Sequence, residues 1–247
     1  MESLKYHQAA LDFIGEAPIF SEQNIQDLNK FEQKFNLKLP PSLREWLSLE
    51  LSGYILSKYS NGDGAIEAKE LMEYYPELLF ENPDYCAPFD PKYFLPVMIE
   101  NQGCFYWHTY LDGSDDPPVY VTGNKLELYT RTFSDFVFTH VWDWNGLFSQ
   151  MWFPLFADSG QEKLDFMRQH FEETARTYSF DYVGGAAYRF FNGDKSVLIK
   201  TGADYDTWHL WASSLKRVGE LIEFLKQHIQ FRDDIKIYPR HTEFPPK

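Results

Sequence analysis

Apolar residues between Ile25 and Leu47 fall at helical spacing, stop, and resume. Ile25, Leu28, Phe31 and Phe35 lie three or four apart, with Gln26, Asp27, Lys30 and Lys34 between them, which predicts an amphipathic helix. Leu39-Pro40-Pro41 interrupts that pattern. Pro40 pushes Leu39 out of the helical region, and Pro41 or Ser42 opens the next helix, because early helical positions do not need the backbone donor that proline lacks. Leu43, Trp46 and Leu47 form the apolar face of the second helix. The stretch therefore reads as a helical hairpin with a face to bury.

The same pattern divides the rest of the chain. Leu4, Ala10, Leu11 and Ile14 predict a short N-terminal helix ended by Gly15 and Pro18. Residues 93–121 predict strands, since YFLPVMI and CFYWHTYL are aromatic and β-branched and flank the turn Asn101-Gln102-Gly103. Leu111–Pro118 is the next turn, and Gly123-Asn124 precedes a short strand at LELYTR. Thr132 or Ser134 caps a helix beginning near Phe136. Leu164, Met167, Phe171, Ala175 and Tyr178 predict a helix over 162–178. Tyr188–Phe191 and Ser196–Thr201 form a hairpin across Asn192-Gly193-Asp194, and Thr207–Ala212 adds a strand. Ser213 or Ser214 then caps a helix carrying Val218, Leu221, Ile222, Leu225 and Ile229, and the end from Tyr238 to Lys247 reads as a tail. The expected fold is α+β: a mostly antiparallel or mixed sheet flanked by helices, with a C-terminal β-β-β-α extension. Residues 20–140 form the core and 141–247 the extension. No repeat or low-complexity linker separates them, so one compact body is expected.

Composition permits a large core. Of 247 residues, 44% are hydrophobic and 18% aromatic. The densest tract, Val141–Phe156, reads as burial where core and extension meet, or else as an exposed aromatic anchor. Net charge is −14, which argues against direct nucleic-acid binding through phosphates and suits a basic protein partner. Half of that charge lies in 61–90, where Asp63, Glu67, Glu70, Glu73, Glu77, Glu81, Asp84 and Asp90 face a single Lys69. Glu67, Glu70 and Glu73 are expected on one helical face opposite Leu71 and Tyr75, with Pro76 breaking or restarting the helix. A solvated face explains such a run, and a docking surface is the functional alternative. Cys86 and Cys104 form no disulfide framework, the N-terminus lacks a signal-like apolar run, and no stretch is long enough to span a membrane. A cytoplasmic location is expected.

Motifs of chemistry are sparse. The seven histidines (His7, His108, His140, His170, His209, His228 and His241) show no metal-ligand spacing. His140 with Asp143 reads as a structural pair, and His170 beside Glu172 and Glu173 as a surface residue. Asp112-Gly113-Ser114-Asp115-Asp116 lacks the alternation and terminal Glu of a calcium loop, and Gly184-Gly185 lacks the company of a phosphate loop. No catalytic, cofactor-binding or metal residue is assigned.

An opening pattern and five ordered motifs after it resemble the SUKH superfamily, which includes the fungal Smi/Knr regulators and bacterial immunity proteins. Its opening pattern of Glu, Leu-Pro and an aromatic helix is matched by Glu32, Leu39, Pro40, Leu43, Trp46 and Leu47. Asn61-Gly62-Asp63-Gly64, Tyr93–Val97, Asn101–Trp107, Pro118–Val121 and Thr132–Val137 follow in order, so the resemblance covers about residues 20–140. The spacer from Leu47 to Asn61 is longer than the pattern requires, and the C-terminal third is matched only loosely. The resemblance implies an immunity-type protein that neutralises a cognate toxin domain by stoichiometric binding, without catalysis. A general interaction scaffold, or an enzyme with a cryptic site, is the alternative. The charge pattern adds a partner-binding set: Glu67, Glu70 and Glu73, with Asp112, Asp115 and Asp116.

Overall fold

The computed structural model describes residues 4–77, 86–122, 125–147, 153–179 and 185–232. Two compact units divide the chain, residues 1–144 and 145–247.

The N-terminal unit opens with α1 (Gln8–Ile14), which stops at Gly15 in the left-handed conformation, φ 71°. Ser21 caps α2 (Glu22–Phe35) through the Asn24 N–H, and Asn36 ends it at φ 50°. Pro40 and Pro41 then start α3 (Pro41–Leu47), as the sequence predicts. The long spacer holds another helix, α4 (Ser52–Lys58). α5 (Leu71–Glu77) includes Pro76 in its second turn instead of ending before it, at the cost of one backbone hydrogen bond.

β1 (Gly64–Ala65), β2 (Phe94–Ile99), β3 (Tyr106–Tyr110), β4 (Val119–Thr122) and β5 (Leu126–Thr130) form an antiparallel sheet in chain order. Pro96 sits where the β2–β3 register shifts, a place that tolerates the lost ladder donor. Leu95, Val97, Trp107 and Val119 join Leu28, Phe31, Leu43 and Trp46 in one core. Phe89, Phe94, Tyr110 and Tyr120 pack as a separate ring cluster. Thr132 caps α6 (Phe133–Leu147), whose Phe133, Phe136, Val137 and Val141 complete the core.

In the second unit, β6 (Phe153–Ala157), α7 (Gln161–His170), β7 (Glu172–Thr177), β8 (Ala187–Asn192), β9 (Lys195–Lys200) and β10 (Asp206–Ala212) precede α8 (Leu215–Lys226). The sheet is antiparallel in the order β6-β10-β9-β8-β7. The expected hairpin, third strand and final helix are present, the helix capped by Ser214. Asp194, at the β8–β9 turn, accepts from Arg217 at 2.7 Å, tying the turn to the start of α8. The single helix expected over 162–178 is a correction: it ends at His170, and Glu172–Thr177 is a strand. Phe171 turns extended, and pairing with β8 outweighs the helical spacing of the apolar residues.

The fold is thus α+β, with antiparallel sheets and flanking helices. In the aromatic tract, Val141 and Trp142 are buried and Phe156 is exposed, while Phe148–Trp152 lies outside the described residues. The turn at Gly123-Asn124, the glycine Gly184, and the tail with His241 also lie outside them.

Candidate functional site

The α2–α3 junction explains why this sequence combines Glu, Leu-Pro and a helix. One Glu32 carboxylate oxygen accepts the Leu39 N–H at 2.9 Å, and the other accepts from Arg44 at 2.7 Å. Arg44 also donates to Asn29 Oδ1 at 2.6 Å. A single side chain thereby fixes the linker and the angle between two helices. Leu39, Leu43, Trp46 and Leu47 are buried behind it.

Glu45, one turn along α3, receives three backbone donors. Lys5 N–H reaches Oε2 at 2.8 Å, while Tyr6 and His7 N–H reach Oε1 at 2.9 and 3.1 Å. This fastens the start of the chain to α3. His7 is buried against Trp46 and Phe133, and its Nε2 lies 2.9 Å from the Ser42 carbonyl. Nε2 therefore carries the proton, and burial lowers the pKa of the ring below the ordinary histidine value. Glu45 did not stand out in the sequence because its donors are main-chain groups some forty residues away.

The six acidic residues predicted to bind a partner fall into two groups, joined by no hydrogen bond or ion pair among the described residues. Only Glu73 lies in α5, where it is exposed; Glu67 and Glu70 precede the helix, so the expected three-residue helical stripe is a correction. The Glu67 N–H donates to Glu70 Oε2 at 3.0 Å, and Glu67 pairs with Lys69 at 2.8 Å. Glu67 also lies across Gly53 of α4, where a Cβ would stand 2.4 Å from its Cγ. These two carboxylates are spent on local structure.

Asp112 accepts from Ser114 N–H and Oγ, closing its own turn. Asp115 pairs with Lys5 at 3.4 Å and accepts from Tyr6 Oη at 3.2 Å, while its carbonyl accepts the Ser42 N–H. Asp116 accepts the Ser134 N–H at 3.0 Å and thus holds the first turn of α6. Within the wider acidic window, Asp63 is buried and accepts the Asn101 N–H, and Asp90 pairs with Lys92. Glu81 and Asp84 lie outside the described residues.

An open groove of about 570 Å³ runs beside the α2–α3 junction, lined by Phe20, Leu37, Leu39 and Pro41 together with Glu32, Lys38, Arg44, Glu45 and Ser48. Phe20 is 48% exposed at its rim. The sequence hides this role: Phe20 directly precedes the capping Ser21, where an apolar residue reads as a staple onto the helix.

Among the described residues, no group of three or more His, Cys, Asp or Glu side chains is placed to hold a metal ion. His140 bonds the Phe136 carbonyl at 3.0 Å and packs on Trp107, as befits a core histidine. No helix of the described residues is long and apolar enough to cross a membrane.

Residues 24–139 match the model of the SMI1 / KNR4 family (SUKH-1), a span that contains the Glu32 clamp, the first sheet and most of the α6 core face. No curated protein and no solved structure matches the chain.

Proposed function

Residues 24–139 belong to the SUKH superfamily, as a SUKH-1 domain of the SMI1/KNR4 family, and from this premise we propose that the protein is an immunity-type binder. It takes up a cognate toxin domain in a stoichiometric complex and blocks it without catalysis. The family match carries this reading. The net charge of −14 supports a basic partner, such as a nuclease toxin domain, because opposite charge raises encounter rates.

The acidic residues differ in what they offer such a partner. Glu73, Asp112 and Asp115 are exposed, Asp112 bonded only within its own turn and Asp115 paired with Lys5, whereas Glu67, Glu70 and Asp116 are half-buried and engaged within the fold. The deciding experiment is calorimetric titration of the full chain against any toxin domain that a neighbouring gene encodes, paired with a toxicity assay. The expected result is a one-to-one complex that abolishes toxicity. Absence of both heat and protection sinks the immunity reading.

A further inference from the structure

Four large apolar side chains of the N-terminal unit remain in water: Ile19 (54% exposed), Phe20 (48%), Leu51 (41%) and Tyr54 (57%). They are neighbours in space. The Ser21 N–H donates to the Ser48 carbonyl and the Glu50 N–H to the Ile19 carbonyl, both at 2.8 Å, so residues 19–21 run antiparallel to 48–50. Leu51 and Tyr54 follow on one face, three residues apart at the start of α4, where the Ile55 N–H bonds the Leu51 carbonyl.

The two edges of this short ribbon differ. Its bonds run through Ile19 and Ser21, so the N–H and C=O of Phe20 face away from Leu49. Neither makes a hydrogen bond among the described residues. On the other edge, the Leu49 N–H is taken by the Trp46 carbonyl and its C=O by Asn24 Nδ2 at 2.9 Å. One edge is closed and the other is open, a template for another strand.

Charge narrows what fits. Glu16, Glu22 and Glu50 are exposed around the ribbon, and none has a side-chain partner among the described residues. Three cations stand nearby: Lys38 and Arg44 line the groove with Phe20, Arg44 being held by Glu32 and Asn29, and Lys58 lies 5.8 Å over the Tyr54 ring. A second copy of this chain carries the same net charge of −14, so long-range repulsion opposes its approach.

We propose that the Phe20 edge receives an extended segment of a basic partner protein, pairing with the Phe20 main chain, seating apolar side chains on Ile19, Phe20, Leu51 and Tyr54, and placing Lys or Arg against Glu16, Glu22 and Glu50. This strand-addition mode draws affinity from the backbone and selectivity from alternate side chains. It rests on the reading of the protein as a binder of a basic protein, and it names the surface used.

The test titrates the full-length protein with a labelled acetyl-KVKYKVK-amide peptide and its acidic counterpart acetyl-EVEYEVE-amide. The amide signal of Phe20 and fluorescence anisotropy are both followed. The basic peptide should bind and shift the Phe20 amide, and the acidic one should not bind. Affinity should fall about tenfold or more in F20S/Y54S, and about threefold or more in E16Q/E22Q/E50Q. Should F20S/Y54S fail to fold, the Phe20 shift in the wild type decides. No binding, binding without that shift, or equal affinity in a folded F20S/Y54S overturns the proposal. Self-association of the free protein that F20S/Y54S abolishes overturns it in favour of a second copy. A toxin domain bound equally by wild type and F20S/Y54S removes this surface and leaves the immunity reading intact. Peptide binding with no toxin binding does the reverse.

Discussion

Replacing Glu32 with alanine leaves two donors, the Leu39 N–H and the Arg44 guanidinium, without the acceptor that joins α2 to α3. Hydrogen bonds to a charged group contribute about 1.5–3 kcal/mol each, and the pair is partly solvated, so E32A should cost about 2 kcal/mol in urea unfolding. R44A should cost less, because Glu32 retains the Leu39 N–H. Equal losses would contradict the two-donor description. Two of the buried histidines, His7 and His209, contribute to the acid response. Burial lowers the His7 pKa, and burial together with the Lys200 charge brings His209 to about 3. Below the unfolded value of about 6.5, each binds a proton in the unfolded state but not in the folded one. Stability is therefore full above about pH 6.5 and declines as pH falls through the window between that value and the folded pKa, by up to about 1.4 kcal/mol per pH unit for each group. Carboxylates held by cations, such as Asp27 beside Lys30, contribute only below their ordinary range near 3.8. Urea midpoints measured from pH 7 to 4.5 should fall steadily, and the slope should shrink in H7F or H209F. A flat profile would contradict this assignment.

Gly53 shows how one position couples two elements. Alanine normally gains about 1 kcal/mol over glycine inside a helix. In α4 a Cβ at 53 meets Glu67 Cγ, near the root of that side chain, so Glu67 must move and give up its present position. G53A should destabilise the wild type and, in an E67A background, stabilise by about 1 kcal/mol. The sign reversal is read from thermal unfolding of the four proteins. At this scale the sequence was informative where a periodic face and a stop signal coincide, as in α2, α3 and the β8–β9 hairpin. It misled at 162–178, since Leu164, Met167, Phe171 and Ala175 fit helical spacing while Ala175 and Thr177 also alternate inward as a strand. Only the pairing with β8 separates those readings. The acidic residues were legible as charge, but their uses were not. Ser134 reaches Asp116, and Lys5 reaches Asp115, from distant parts of the chain. The Phe20 edge was hidden for the same reason, because its openness depends on which groups Leu49 has already engaged.

For the whole molecule, a net charge of −14 makes association with a basic protein a long-range matter. Raising salt from about 50 to 300 mM should slow the association rate about tenfold and leave dissociation much less affected. A salt-insensitive association rate measured by stopped flow would instead assign the affinity to apolar contact. The two sheets differ in the reach of their pairings. The first is a meander whose neighbours follow one another along the chain. In the second, Phe153 pairs with Leu210 and Ala157 with Asp206, so the first strand closes onto the last. On the ribosome, β6 emerges early and waits for β10, roughly 2–10 s at 5–20 residues per second, with a sheet edge unsatisfied throughout. In the N-terminal sheet each strand pairs with the next one made. Premature termination or slow translation between 157 and 206 therefore strands β6, and the nascent second unit is where a cell would need a chaperone most.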